Sequence, residues 1–400
     1  MSKEEVKMID KPLLAAVMML LTLSLVMSYS LSAYIVLHFE YQDLHYFKRQ
    51  SGAIFIGFVM MVILSKMNPD KWLSVIGLGL FSLFSILMVA MQFMPTTLVP
   101  VVGGAKRWIH LGPASIAPVE FFKIGFVFFL AWSFSRKLLE RRKMGFLEEL
   151  RTSSPYLILY ILSVVVIAIF QKDLGQVVVL GATLLVLFLF IGSSMKFFFT
   201  LLLGGVMAVV GLILLAPHRM SRIISWWGTV QDSILSLFPF ESIQALRVVE
   251  GREPYQISNS LNAIHNGGFF GQGLGNGQFK LGYLSEVHTD FILAGITEEL
   301  GLLGLVLVSA TLLFILFRIF KIASKVSNPM YYLFSIGVGS LIAFAFLLNA
   351  YGISGITPIK GIAVPFLSYG GSHIWASCIA IGMVLMVSKK VPRDSEGRII

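Results

Sequence analysis

Long apolar runs separated by short polar clusters dominate this chain. A helix needs roughly 20 apolar residues to cross the hydrocarbon core of a bilayer. Runs near 13–37, 49–66, 72–94, 118–135, 154–170, 174–192, 196–216, 290–317, 329–350 and 365–388 meet or approach that length. The fifth and sixth are separated only by the turn Gln171-Lys172-Asp173-Leu174-Gly175. The pattern predicts an all-α fold, a polytopic integral membrane protein with about ten transmembrane helices and a single domain over 1–400. The first run exceeds the apolar core of a signal peptide and reads as a retained helix.

Composition supports this class. The chain is 56% hydrophobic and 13% charged, with a mean hydropathy of +0.84; soluble domains carry about 25% charged residues. A net charge of +10 raises the question of a nucleic-acid partner, and its distribution answers it. With the N-terminus inside, the basic residues concentrate in the inner segments, above all at Arg136, Lys137, Arg141, Arg142 and Lys143. The orientation is N-in and C-in, with cytoplasmic tails at 1–12 and 389–400, and no nucleic acid is needed to explain the charge. Cys378 is the single cysteine, which excludes an intrachain disulfide and a cysteine metal cluster.

This orientation places residues 217–289, between the seventh and eighth helices, in one long extracytoplasmic loop; loops of that length tend to be functional. It carries Trp226-Trp227, Phe238-Pro239-Phe240, a candidate interfacial amphipathic helix over 255–264, and the glycine run from Gly267 to Gly277. It ends in Glu286-Val287-His288-Thr289-Asp290, where polar loop gives way to apolar helix. Two roles fit Asp290. Partial desolvation at the membrane rim raises a carboxylate pKa into the range of a general base. Alternatively, Thr289 or Asp290 caps the following helix.

Glu298 and Glu299 lie deeper in that helix, where pairing with a cation is the more economical reading. Glu120 and Lys123, spaced i and i+3, either neutralise each other or line a cavity. Arg107, Lys123, Arg219, Arg222, Lys280 and Lys360 all map to the outer half. They fit a pyrophosphate site, since Arg clamps phosphate in a fork and Lys adds a point charge, and they equally fit counterions for lipid head groups. The glycines either bring backbone N–H groups to an anion or simply make turns. No P-loop, His-Glu-x-x-His or nucleophile-elbow pattern is present.

Five blocks carry a resemblance: Gly104-Ala105-Lys106-Arg107-Trp108-Ile109, Gln171-Lys172-Asp173-Leu174-Gly175, Gly271-Gln272-Gly273-Leu274-Gly275-Asn276, Glu286-Val287-His288-Thr289-Asp290-Phe291-Ile292 with Glu298-Glu299, and Pro365-Phe366-Leu367-Ser368-Tyr369-Gly370-Gly371-Ser372. Together they resemble the SEDS family (shape, elongation, division and sporulation) of bacterial cell-wall polymerases, most closely its division branch. The resemblance covers nearly the whole chain. It departs at Ala117 and Val119, where the family usually has Gln and Ser or Ala, at Lys172 and Ser285, usually Pro, and at Phe279, usually Gln.

The resemblance implies a peptidoglycan glycosyltransferase that polymerises lipid II into glycan strands at the outer face of the bacterial cytoplasmic membrane, at the septum. It implies a class B penicillin-binding protein and other divisome membrane proteins as partners. Asp290 matches the catalytic acid. Arg107, Glu120, Lys123, Asp173, Lys280 and Lys360 match polar positions around a central cavity, and His288, Glu298, Glu299 and Ser368 are expected to support it. No metal site is assigned, and a divalent cation (Mg or Mn) at the diphosphate is left open. Two rival readings are a lipid II flippase, which needs essential polar residues on the inner half too, and a scaffold for a transpeptidase.

Overall fold

The computed structural model describes residues 9–112, 114–137, 144–236, 247, 255–359 and 361–392. Lys360, the basic residues Arg141 to Lys143 and the Phe238-Pro239-Phe240 segment lie outside the described residues.

Helix α1 (Lys11–Leu31) starts at Asp10, whose carboxylate accepts the Leu13 N–H at 2.9 Å, with Pro12 in the first turn. A short α2 (Ala33–His38) precedes α3 (His45–Lys66) and α4 (Pro69–Ala90). The loop at 95–117 then folds into two small antiparallel hairpins. In the first, β1 (Val101–Val102) pairs with β2 (Ala105–Lys106). Gly103 and Gly104, both at positive φ, form its two-residue turn, so this glycine pair is a hairpin device. In the second, β3 (Ile109–Leu111) pairs with β4 (Ala114–Ile116).

The helices α5 (Pro118–Lys137), α6 (Phe146–Val164, continued by a π-helical turn to Phe170), α7 (Leu174–Phe190) and α8 (Met195–Leu214) follow. The expected long loop is largely helical where described, with α9 (Pro217–Leu235) and α10 (Tyr255–Gly267). The last three helices are α11 (Ile292–Lys325), α12 (Pro329–Ile353) and α13 (Gly371–Ser388). Among the described residues, nine helices are long and apolar enough to cross a bilayer: α1, α3, α4, α5, α6 with its continuation, α8, α11, α12 and α13. The 17-residue α7 is a shorter apolar helix, and it accounts for the tenth predicted span.

Burial sorts these helices. The most apolar stretches of α5 and α13 are 78% buried within the protein and that of α12 67%, whereas α4 reaches 17% and α8 6%. A helix apolar all round and so little covered by protein faces lipid. The central helices pack closely where residues are small: a Cβ on Gly125 of α5 would sit 2.3 Å from the Phe81 backbone nitrogen of α4. The start of α1 and the end of α13 meet on one side, as an even number of spans requires. Asp10 N–H donates to Ser388 at 3.1 Å, and its buried carboxylate pairs with Arg318 at 2.5 Å. Nearby Lys390 pairs with Asp70, which also accepts the Tyr331 hydroxyl at 2.6 Å. The hairpins and the loops before α11 and α13 lie at the opposite ends of the helices.

The predicted amphipathic helix at 255–264 is present as α10, and it packs on α11 and α12. Ile257, Asn259, Ser260, Ala263 and Gly267 are buried, and Ser260 donates to the Ile353 carbonyl at 2.9 Å.

Candidate active site

The site is assembled from five separate stretches. Arg107 leaves β2 and reaches the turn between α6 and α7. Its Nε donates to the Gln171 carbonyl at 2.7 Å and its Nη2 to the Lys172 carbonyl at 3.2 Å. Lys172 sits at φ +52°, a conformation closed to the proline usual in the resembled family. Asp173 follows and caps α7 by accepting the Gln176 N–H at 3.1 Å. Burial raises the Asp173 pKa, with Arg107 and Lys123 opposing.

One turn into α5, the carboxylate of Glu120 is the hub of a buried cluster. Lys123 pairs with it at 3.0 Å, Gln176 Nε2 donates at 2.9 Å, and His373 Nδ1 lies 3.2 Å away. Lys123, 7% exposed, also donates to Gln176 Oε1 at 2.7 Å. The charges of the Glu120–Lys123 pair therefore neutralise each other, and both act on the nearby Asp173.

Asp290 lies in the loop just before α11. The sequence left open whether it or Thr289 caps this helix, and neither does. Phe291 is the N-cap residue with no side-chain cap bond, and the Thr289 hydroxyl turns back to Glu286, at 2.8 Å from Oε2 and 3.1 Å from the carbonyl. The backbone around Asp290 is pinned instead. Asn349 Nδ2 donates to the Asp290 and Ile362 carbonyls, both at 2.7 Å, Ser368 Oγ donates to the Thr289 carbonyl at 2.7 Å, and Tyr369 N–H to the His288 carbonyl at 2.9 Å. Gly361, at φ +64°, passes so close that a Cβ there would lie 3.1 Å from Asp290 Oδ2.

The Asp290 carboxylate itself makes no hydrogen bond among the described residues and keeps part of its surface open. Its pKa is pushed up to about 6, chiefly by burial, then by the charges of Glu286 and Asp173, with Arg107 and His373 pulling the other way. His288 is buried against the rings of Tyr46 and Tyr369 at 5.2 and 5.4 Å, and its Nδ1 has no partner among the described residues. Burial lowers its pKa, so near neutral pH the ring is uncharged packing beside the acid.

The other candidates lie apart from this cluster. Within α11 the helix breaks at Gly301 (φ +70°, ψ −171°) and the glycine run docks into the break. Gln272 and Gly273 N–H groups donate to the Glu298 and Glu299 carbonyls at 2.9 Å, and Leu302 N–H to the Gly268 carbonyl at 2.9 Å. A Cβ on Gly271 would lie 2.3 Å from the Glu299 carbonyl oxygen, so these glycines serve close backbone approach. The anion cradled by this segment is Glu298, which accepts the N–H groups of Gln278 (2.6 Å) and Phe279 (3.1 Å) and the Asn266 amide (2.9 Å). Glu299 holds Lys280 at 2.7 Å, with Ser30 beside both.

Lys280 is thus 4% exposed and occupied by a carboxylate, not grouped with Arg107 and Lys123. Arg219 binds the Leu212 and Ala168 carbonyls at 2.8 and 2.5 Å, which ties α9 to the ends of α8 and α6. Arg222 is exposed on α9. Ser368, fully buried, supports the Asp290 loop from behind. Gln176 and His373 were missed in the sequence. Gln176 stands one residue beyond a quoted block, and His373 directly follows another whose serines and glycines read only as a helix start. Among the described residues no group of three or more His, Cys, Asp or Glu side chains is placed to hold a metal ion. A cavity of about 400 Å³, lined by Asp70, Arg136 and Tyr331 among others, lies on the chain-end side, remote from Asp290.

The chain as a whole is similar to known proteins. The profile of the FtsW/RodA/SpoVE family, described as cell cycle proteins, matches residues 11–392. The chain belongs to this family. A Helicobacter pylori protein named probable peptidoglycan glycosyltransferase FtsW is 46% identical over 381 residues, spanning 95% of this chain and 98% of its own. Stage V sporulation protein E of Bacillus subtilis is 32% identical over 386 residues, spanning 95% and 97%. Among solved structures, the rod shape determining protein RodA of Thermus thermophilus superposes with a TM-score of 0.64 at 21% identity, covering 95% of this chain and 96% of that one. A chain from a peptidoglycan synthase complex, described for its coordination of polymerization and crosslinking, gives 0.65 at 22% identity, covering 95% and 97%. This FtsW/RodA/SpoVE chain is therefore a multi-pass membrane protein with a RodA-like fold.

Proposed function

We propose that this protein is a peptidoglycan glycosyltransferase that polymerises lipid II at the outer face of the cytoplasmic membrane, with Asp290 as general base. The observation that carries the reading is the state of that carboxylate. Glu298, Glu299, Glu120 and Asp173 all have hydrogen-bond or ion-pair partners, whereas Asp290 is rigidly held at its backbone, partly open, unbonded among the described residues and lifted to a pKa of about 6. Such a group is ionised at neutral pH yet basic enough to accept a proton in a transition state. The names of the relatives support the same reaction class.

In the reaction, the 4-hydroxyl oxygen of the acceptor sugar attacks the anomeric carbon of the donor glycan. Asp290 takes the hydroxyl proton, the new O–C bond forms with inversion, and the bond to the diphosphate breaks with its electron pair leaving on undecaprenyl pyrophosphate. Cations serve the departing diphosphate. Arg107, whose charge acts on both Asp290 and Asp173, and Lys123, whose charge acts on Asp173, are the candidates; Arg107 keeps Nη1 without a partner among the described residues, while Lys123 is already engaged by Glu120 and Gln176. No step is routed through a divalent ion. The proposed setting is the division septum, with a class B penicillin-binding protein as the partner that crosslinks the strands; the superposition with a chain of a synthase complex supports that pairing.

The test is polymerisation of purified lipid II by the protein co-purified with its cognate penicillin-binding protein, beside an Asp290→Asn variant shown to be folded. Polymer from wild type and none from the variant is expected. Polymer from both would remove Asp290 from the base role, and liposome flipping without polymer would favour a transporter.

A further inference from the structure

His373 stands where two halves of the site meet, and neither half accounts for it alone. It lies in the first turn of α13, with both ring nitrogens facing oxygens. Nδ1 is 3.2 Å from Glu120 Oε2, and Nε2 is 3.1 Å from the Val364 carbonyl. The Val364 carbonyl is also the acceptor for the Leu367 and Ser368 N–H groups, at 3.2 and 3.1 Å. It therefore closes the turn 364–368, which holds Phe366 at φ +66°. Ser368 Oγ accepts the Val364 N–H at 2.8 Å and donates to the Thr289 carbonyl at 2.7 Å, one residue before Asp290. A series of close polar contacts thus runs from the Glu120–Lys123 pair through the imidazole, whose N–H donates to Glu120 or to the Val364 carbonyl according to the tautomer, and through this turn to the backbone of the acid.

We propose that His373 is a positioning residue for the glycosyl transfer, fixing the Asp290 loop relative to the Glu120–Lys123 cluster through the Val364–Ser368 turn. The inference rests on the glycosyltransferase reading above. Its physical basis is that the base and the cations serving the diphosphate must act on one substrate pair at the same instant. A misplacement of about 1 Å between such groups lowers rates by about 10²-fold. The charged groups around the base are Glu286 and Asp173, which raise its pKa, and Arg107 and His373, which lower it. Glu120 and Lys123 face the imidazole from α5.

The experiment compares His373→Ala, His373→Asn, Ser368→Ala and the His373→Ala/Ser368→Ala double variant in the lipid II assay and by backbone hydrogen exchange in detergent. Two independent readouts are expected to move. The kcat of His373→Ala falls by about 10²-fold with KM for lipid II nearly unchanged, and the acid limb of its pH profile shifts upward because a positive influence on Asp290 is gone. His373→Asn, which keeps a donor near Glu120, recovers part of the rate. The double variant is no slower than the worse single one, as for groups acting in series. Exchange at the Ser368 and Tyr369 amides quickens in His373→Ala.

Unchanged exchange at those amides would overturn the tether whatever the activity. So would rate losses of the two single variants that simply multiply, or a fall in thermal stability with wild-type kcat per folded molecule. Absence of polymer from wild type itself would count against the enzyme reading, and the exchange comparison would still decide the tether.

Discussion

Replacing Asp290 by asparagine removes one charge from the loop before α11 while leaving its pinning intact, because Asn349 and Ser368 hold backbone carbonyls there. The pKa is lifted from 3.8 to about 6 by burial and by Glu286 and Asp173. A raised carboxylate pKa means that the folded state disfavours the ionised form. The penalty is fully present above pH 6, shrinks as pH falls from 6 towards 3.8, and is absent below. With 1.36 kcal/mol per pKa unit the lift corresponds to at most about 3 kcal/mol. Asp290→Asn is therefore expected to be more stable than wild type at pH 7.5, with a melting temperature higher by up to about 3 °C for a chain of this length, and indistinguishable from it near pH 4. Polymerisation is lost at every pH. The assay is thermal unfolding in detergent at pH 4, 5, 6 and 7.5, paired with lipid II polymerisation. A variant less stable than wild type at pH 7.5 would refute the reasoning and make Asp290 a structural acid. A gain of the same size at all four pH values would show that its ionisation is not what burial penalises.

Three further outcomes are expected. The wild-type kcat should rise with pH through an apparent pKa of about 6 and level off above it, since the base works only when ionised; a flat profile between pH 5 and 7.5 would deny Asp290 that role. Lys280→Met should destabilise the protein by about 3–5 kcal/mol by stranding the buried Glu299, and Lys280→Met/Glu299→Leu should recover most of it, as denaturant unfolding would show. Gly301→Ala should lower the melting temperature and loosen the 268–273 segment to proteolysis, because φ is +70° and the new Cβ would meet Gly271 N at 2.4 Å; wild-type resistance would mean that the helix break does not hold that segment.

How much of the site was legible follows from what each residue's role depends on. Asp290 stood out because an acid at the junction of a polar loop and an apolar run is visible in one short stretch. Arg107, Glu120, Lys123 and Asp173 were legible as blocks, and the fold brings them to one side. Lys280 and Arg219 were grouped with them because a cation in an outer loop looks the same whether or not it is free. Folding separates the cases: Lys280 meets Glu299 only because the glycine run enters the break at Gly301, and Arg219 reaches carbonyls on α6 and α8. Capping by Thr289 or Asp290 was equally allowed by spacing, and the positive φ of Glu286 accompanies a loop in which Thr289 bonds Glu286 instead.

The sequence by itself determined the membrane class, the places of the spans, including the short α7, and the loops in which chemistry is concentrated. Those features depend on the length and polarity of continuous runs, and the energy of moving a run of side chains from water to lipid is nearly independent of what lies elsewhere in the chain. Only the tertiary structure decided which charges are spent on each other and which acid remains unbonded, that 217–289 is largely helical where described, and that Gln176 and His373 join the cluster. Those outcomes depend on pairings between segments up to hundreds of residues apart, such as Glu120 with His373. A hydrogen bond or ion pair needs its partner within about 3 Å, and only the docking of one helix on another sets such distances.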